Sequence, residues 1–213
     1  MNYKLLSLIC LISLLACQND KKKQEIPEAY DLKIELETSN LKVDSIALKS
    51  VNEKHLSTTA YKNGVALFQI GDSINDLYDL KLYTSKDIIN QKIWLKGDAI
   101  HIKGKLNPQL SIDTVINSPL YYKIKENSKT LRRLYEEDEK NPEIDAFFLR
   151  KIEALLDSPV SFAMADTYLY RNKENLGKLQ GLKEILEKQP KNLKEHPLNI
   201  SQKLDRAITQ LEK

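Results

Sequence analysis

The residue types that most often do chemistry are sparse in this 213-residue chain, which has three histidines, two cysteines and one tryptophan. His55, His101 and His196 fall in different predicted elements, with no i,i+4 pair and no H-E-x-x-H. They read as surface or strand histidines, because a metal or proton-transfer site needs partners that converge. The six glycines form neither G-x-G-x-x-G nor a P-loop, and Gly104-Lys105 lacks both the upstream glycine loop and the following Ser or Thr. No G-x-S-x-G elbow is present. The acidic run Glu136-Glu137-Asp138-Glu139 splays around a helix end instead of forming a spaced oxygen cage, so it reads as solvated. Trp94 stands in a predicted strand, where a lone tryptophan is more often core than a sugar platform. Tyr121, Tyr122, Tyr168 and Tyr170 are read as packing against the sheet. No catalytic residue, cofactor-binding residue or metal ligand is assigned, no cofactor is expected, and the chain reads as a non-enzyme.

The cysteines carry more information. Lys4 precedes an almost wholly apolar run from Leu5 to Ala16, too short to cross a hydrocarbon core of roughly 30 Å as a helix. The run closes on Leu14-Leu15-Ala16-Cys17, which resembles the lipobox of bacterial lipoproteins. That resemblance implies cleavage after Ala16 and acylation of the Cys17 thiol. Cys10 would leave with the leader, so the mature chain would hold no thiol for a disulfide, a nucleophile or a metal. Two or three acyl chains give stable attachment to a lipid bilayer. Gln18 follows the lipidated position, where an aspartate would resemble an inner-membrane retention signal, and its absence points to the outer membrane. Which face of that membrane is left open. Residues 17–28 are polar and without apolar period, and they read as a flexible tether.

Asp44-Ser45-Ile46, Asp72-Ser73-Ile74 and Asp113-Thr114-Val115 resemble the Asp-Ser/Thr-apolar acceptor of periplasmic O-glycosylation in Bacteroidetes. Ser45, Ser73 and Thr114 are therefore candidate O-glycosylation sites, although Asp-Ser before a strand is also ordinary turn chemistry.

From residue 29 to 116 apolar residues mostly alternate, as in Leu32-Ile34-Leu36, Tyr78-Leu80-Leu82 and Ile100-Ile102. Asn63-Gly64 and Gly97-Asp98 read as hairpin turns, because such pairs tolerate positive φ. The expectation is an N-terminal antiparallel β-sandwich of about six to eight short strands. From 117 to 213 the period becomes helical. Ser118-Pro119, Asn141-Pro142 and Ser158-Pro159 repeat one helix-start grammar, a capping side chain followed by proline where a missing N–H costs nothing. Apolar stripes follow, including Leu120, Ile124, Leu131 and Leu134, then Ile144, Phe148, Ile152 and Leu155. The fold class expected is α+β, the sandwich being followed by an all-helical region of about five helices. The domain plan is a leader over 1–16, a tether over 17–28, a β domain over 29–116 and a helical domain over 117–213. A formal net charge of +3, with acids and bases interspersed, excludes a polybasic nucleic-acid binder.

Three stretches carry a wider resemblance: Asn63 to Gly71 (NGVALFQIG), Gly97 to Gly104 (GDAIHIKG) and Asn117-Ser118-Pro119-Leu120-Tyr121. Together they resemble the uncharacterised N-terminal domain and helical region of Bacteroidetes thioredoxin-family lipoproteins, the thiol–disulfide oxidoreductases. In that family the helices lead into a thioredoxin module bearing W-C-x-x-C. This sequence contains no such motif, so the redox activity does not carry over.

The function expected is a non-enzymatic, membrane-anchored lipoprotein, a binding or docking module of the cell envelope. Its partners would be the bilayer, through the Cys17 acyl chains, and another envelope protein. The alternatives are a detached N-terminal part of a thioredoxin-like oxidoreductase and a carbohydrate-binding lipoprotein using Trp94.

Overall fold

The computed structural model describes residues 30–213 apart from Asn40, His55 and Asp72. The leader, Ala16, Cys17, the tether and His55 lie outside the described residues. Eight strands come first: β1 (Leu32–Thr38), β2 (Val43–Ser50), β3 (Leu56–Ala60), β4 (Val65–Phe68), β5 (Ile74–Thr84), β6 (Ile88–Gly97), β7 (Ile100–Asn107) and β8 (Gln109–Ile116). Five helices follow: α1 (Pro119–Glu137), α2 (Pro142–Glu153), α3 (Val160–Arg171), α4 (Leu176–Glu187) and α5 (Ser201–Leu211). A single 3₁₀ turn, Lys191–Leu193, lies between the last two. The chain is thus α+β, strands before helices. Among the described residues no helix is long and apolar enough to cross a membrane.

The strands form two four-stranded sheets in the orders β4-β1-β7-β8 and β3-β2-β5-β6. Alternation does the work expected of it. Leu32, Ile34 and Leu36, Tyr78, Leu80 and Leu82, and Ile100 and Ile102 all contribute to one buried cluster drawn from both sheets.

Two expectations about connection are corrected. The strands are not all antiparallel, since β1 and β7 pair in parallel, Leu32 opposite Ile100. A parallel pair cannot close through a tight turn, and here the intervening chain crosses to the other sheet and back twice. The two turns are also not hairpins within one sheet. Asn63 and Gly64 both take positive φ, and Lys62 and Val65 exchange hydrogen bonds of 3.0 Å in each direction. Yet β3 and β4 then enter different sheets, so the turn is a corner. The chain likewise changes sheets between β6 and β7, at Gly97 (φ +146). A Cβ on Gly97 would lie 2.1 Å from the Asn117 carbonyl oxygen, which excludes any side chain there.

The helix starts divide. Asn141 caps α2 as expected, its Oδ1 accepting from the Glu143 N–H at 2.9 Å. Ser118 precedes α1 without a side-chain cap; its Oγ accepts instead from the Lys96 N–H of β6 at 3.0 Å, which ties the helix start to the sheet. Ser158 gives only a 3.5 Å contact to the Val160 N–H. Asn175 supplies a cap the Ser/Asn-Pro grammar misses, accepting from the Lys178 N–H at 3.1 Å.

The helical stripes build a second core around Ile144, Phe148, Ile152, Leu179, Leu182 and Leu204. A third, small cluster of Leu120, Leu155 and Val160, with Trp94 and Met164 against it, joins this core to β6. Asp145 pins α2 to α3 and α4, accepting from Arg171 Nε at 3.0 Å, Asn172 Nδ2 at 3.1 Å and Lys178 Nζ at 2.5 Å.

Candidate binding site at the seam between sheets and helices

Asp76 lies in the phase of the core-facing residues Ile74 and Tyr78 on β5, and only 1% of it is exposed. A carboxylate in that position needs donors on every side. Oδ1 accepts from the Leu77 N–H at 2.7 Å and stands 3.1 Å from His196 Nε2; Oδ2 accepts from the Asn52 N–H at 3.1 Å. His196 comes from the loop before α5, its ring stacked on Phe162 at 6.3 Å between centroids. Its Nδ1 accepts from the Leu198 N–H at 3.1 Å, so Nε2 carries the proton and donates to Asp76. With both ring nitrogens committed, the pair acts as a clasp between the sheet and the helical region.

Beside the clasp is a polar cleft of about 370 Å³ bordered by Asn52, Lys54, Ser73, Asn75 and Glu195. Asn75 donates Nδ2 to the Asp157 carbonyl at 2.9 Å, and Lys96 forms an ion pair with the Asp157 carboxylate. On the other side of His196 a wider cavity of about 650 Å³ runs between α4 and α5, lined by both signs of charge, including Lys183, Glu187 and Asp205.

The apolar part of the seam is different in kind. β6 contributes Trp94, α1 contributes Asn127 and Leu131, α2 contributes Phe147 and Phe148, and α3 contributes Met164 to a groove of about 190 Å³. Asn127 falls on the apolar stripe Leu120, Ile124, Leu131, Leu134, in the position where that period calls for a hydrophobic residue. It is 7% exposed, and its Nδ2 is buried without a hydrogen-bond partner. A buried amide donor left unpaired costs about 1–3 kcal/mol. The stripe itself carries the signal that reveals this residue, since a polar side chain interrupts an otherwise apolar face.

Among the described residues singled out from sequence, Ser73 and His196 border the polar cleft together, and Gly104 and Thr114 line a second cavity. His101 is on β7, 3.0 Å from Glu35 Oε2, and Lys33 pairs with the same carboxylate at 3.1 Å. Burial, then the Lys33 charge, holds the His101 imidazole below its ordinary value despite Glu35. The Lys33 hydrogen bond holds the Glu35 carboxyl low against burial. Thr114 is exposed on the edge strand β8, and a cavity of about 490 Å³ lies between it and Glu35 and Lys103. Ser73 is exposed just before β5, whereas Ser45 is half-buried within β2 and paired on both sides. Gly104 is a strand position at a register shift, where a Cβ would meet the Ser111 carbonyl oxygen at 2.4 Å. It does not open a phosphate loop. Glu136 to Glu139 are exposed at the end of α1, as a solvated run should be.

The tyrosines correct the expectation of uniform packing against the sheet. Tyr121 packs on the sheet core and Tyr122 Oη accepts from the Val115 N–H at 2.9 Å. Tyr168, in contrast, is buried in the helical core, and Tyr170 is 76% exposed, because it falls on the outer side of α3. Among the described residues no group of three or more His, Cys, Asp or Glu is placed to hold a metal.

No protein-family model matches the chain, and no curated protein matches it.

Proposed function

We propose that this protein is a lipid-anchored, non-enzymatic docking module of the bacterial cell envelope, held at the outer membrane by acyl chains on Cys17 and carrying a binding groove for another envelope protein. We also infer that its two sheets pack face to face as one β-sandwich, a reading supported by the single buried cluster that both supply. The observation that carries the docking reading is the seam groove, an apolar recess with one buried, unpaired donor at Asn127. Pockets of that make-up recognise a partner's apolar group and fix its orientation with few polar contacts. The clasp at Asp76 and His196 supports the same reading, because it holds rigid the frame on which the groove is built. Ser73 and Thr114 offer exposed hydroxyls for O-glycosylation, and Ser45 would need its strand to open.

The anchor and the docking role are tested together. In the native host, radiolabelled palmitate is expected to enter the protein and the protein to sediment with outer membranes; Cys17→Ala is expected to abolish both. Label retained in Cys17→Ala would remove Cys17 as the lipidated residue, and no label in the native chain would remove the anchor. Cross-linking in intact cells is expected to join the protein to a second envelope protein, and a soluble form lacking Cys17 is expected to bind that same protein after purification. Turnover of a substrate by the purified protein would instead overturn the non-enzymatic reading.

A further inference from the structure

The size of the seam groove selects among occupants. Pockets for free small molecules generally hold about 300–1,000 Å³. The groove holds about 190 Å³, near the roughly 150 Å³ that accommodates one benzene ring. It therefore suits a single anchoring side chain. Its walls are the rings of Trp94, Phe147 and Phe148 and the thioether of Met164, an adaptable apolar surface that packs against an aromatic or branched aliphatic group. Asn127 adds the polar requirement. Its Nδ2 is a donor with nothing to donate to, and the group next to any peptide side chain that supplies a lone pair is the main-chain carbonyl. A third feature sets the charge of the neighbour: Lys151 Nζ lies 5.4 Å over the Phe147 ring, a positive charge beside the groove wall.

We propose that the groove between α1, α2, α3 and β6 is a peptide-anchor site, taking one large apolar side chain of a partner polypeptide, with that residue's carbonyl accepting from Asn127 Nδ2 and an acidic residue beside it facing Lys151. This deepens the docking reading above and rests on it. The energetic logic is that of a binding hot spot. One buried anchor in a desolvated pocket carries most of the affinity, and the surrounding contacts exclude water. The unpaired amide gives the site selectivity, since an apolar molecule without an acceptor enters the same space but leaves the donor unsatisfied.

Trp94 is the only tryptophan of the chain and forms a wall of the groove, so its fluorescence reports occupancy directly. The probe is the acetylated, amidated tripeptide Asp-Phe-Asp, titrated into the full chain with its Asp-Ala-Asp counterpart as control. The Phe peptide is expected to shift Trp94 emission saturably, with a dissociation constant on the order of 1 mM, and the Ala peptide to leave it unchanged. In Asn127→Leu, affinity for the Phe peptide is expected to fall roughly tenfold, the loss of one hydrogen bond to a buried donor. That variant completes the apolar stripe and should fold at least as stably, so weakened binding would not reflect unfolding. As a second readout, the Asn127 side-chain amide protons should move downfield, as a new hydrogen bond requires, on adding the Phe peptide, whereas toluene, which supplies no carbonyl, should give no such downfield shift. Equal response to the Phe and Ala peptides, or unchanged affinity in Asn127→Leu, would overturn the anchor site. If the cross-linked envelope partner still binds when the Phe peptide does not, the groove assignment falls and the docking role stands. If the peptide binds and no partner is cross-linked, the groove stands and the docking role falls.

Discussion

His196 Nε2 meets Asp76 Oδ1 at 3.1 Å, joining two residues 120 positions apart in sequence. Removing the imidazole leaves a carboxylate oxygen buried with one donor fewer and strips the stacked partner from Phe162. His196→Ala should therefore lower the free energy of unfolding by about 2 kcal/mol, read as an earlier urea midpoint. A double-mutant cycle with Asp76→Asn should show that most of the loss is shared between the two sites. Strictly additive losses would mean that the contact carries no coupling.

Two glycines should respond to the same substitution with opposite signs. Gly97→Ala places a methyl against the Asn117 carbonyl at a positive φ, and is expected to cost more than about 2 kcal/mol. Gly181, within α4, has nothing within 4 Å of a built Cβ, so Gly181→Ala should stabilise by about 0.5–1 kcal/mol. Thermal melts of both variants give the comparison directly.

Acid should loosen the helical region through Asp145. Burial raises its carboxyl, but hydrogen bonds from Lys178, Asn172 and Arg171 and the Lys178 charge outweigh that, so its folded pKa lies below the ordinary 3.8. The unfolded chain then binds the proton more readily, and the stabilisation is complete above the unfolded value and is lost as pH falls through the folded one. Asp145→Asn should flatten the fall in stability below about pH 4, measured by denaturation across that window. At neutral pH the same variant should be about 1–2 kcal/mol less stable.

The His101 ring gives a second titration. Its folded pKa lies below 6.5, so stability is full above that value and falls as pH drops through it toward the folded one. The imidazole resonances should titrate with a midpoint under 6.5. Replacing Glu35 with Gln removes the group that favours the protonated ring, and should move the midpoint lower still. A midpoint above 6.5 in the native chain would show that Glu35 outweighs burial and Lys33.

Period was legible in the sequence, and connection was not. The alternation at Leu32 to Leu36 and Tyr78 to Leu82 marks the sheet interiors because a pleated strand exposes alternate residues to one side. The positive φ of Asn63-Gly64 follows from the residues themselves, yet nothing local says whether the following strand rejoins its predecessor or the opposite sheet. The parallel pairing of β1 with β7 has no local signature at all. At the seam the position of Trp94 in a strand was readable, whereas the Asp76–His196 contact depends on where a loop 120 residues later is laid. Asn127 could have been noticed as a polar intruder on an apolar face; that its amide lacks a partner is a matter of packing alone.

The side-by-side run of the first and seventh strands bears on how the molecule comes to exist. Leu32 waits for Ile100, so one hydrophobic sheet keeps its central seam open until most of the β half has emerged. Closing so large a loop comes late and slowly. A nascent chain would meanwhile present bare, sticky strand edges, and escorts that shield them should matter more for this protein than its modest length suggests.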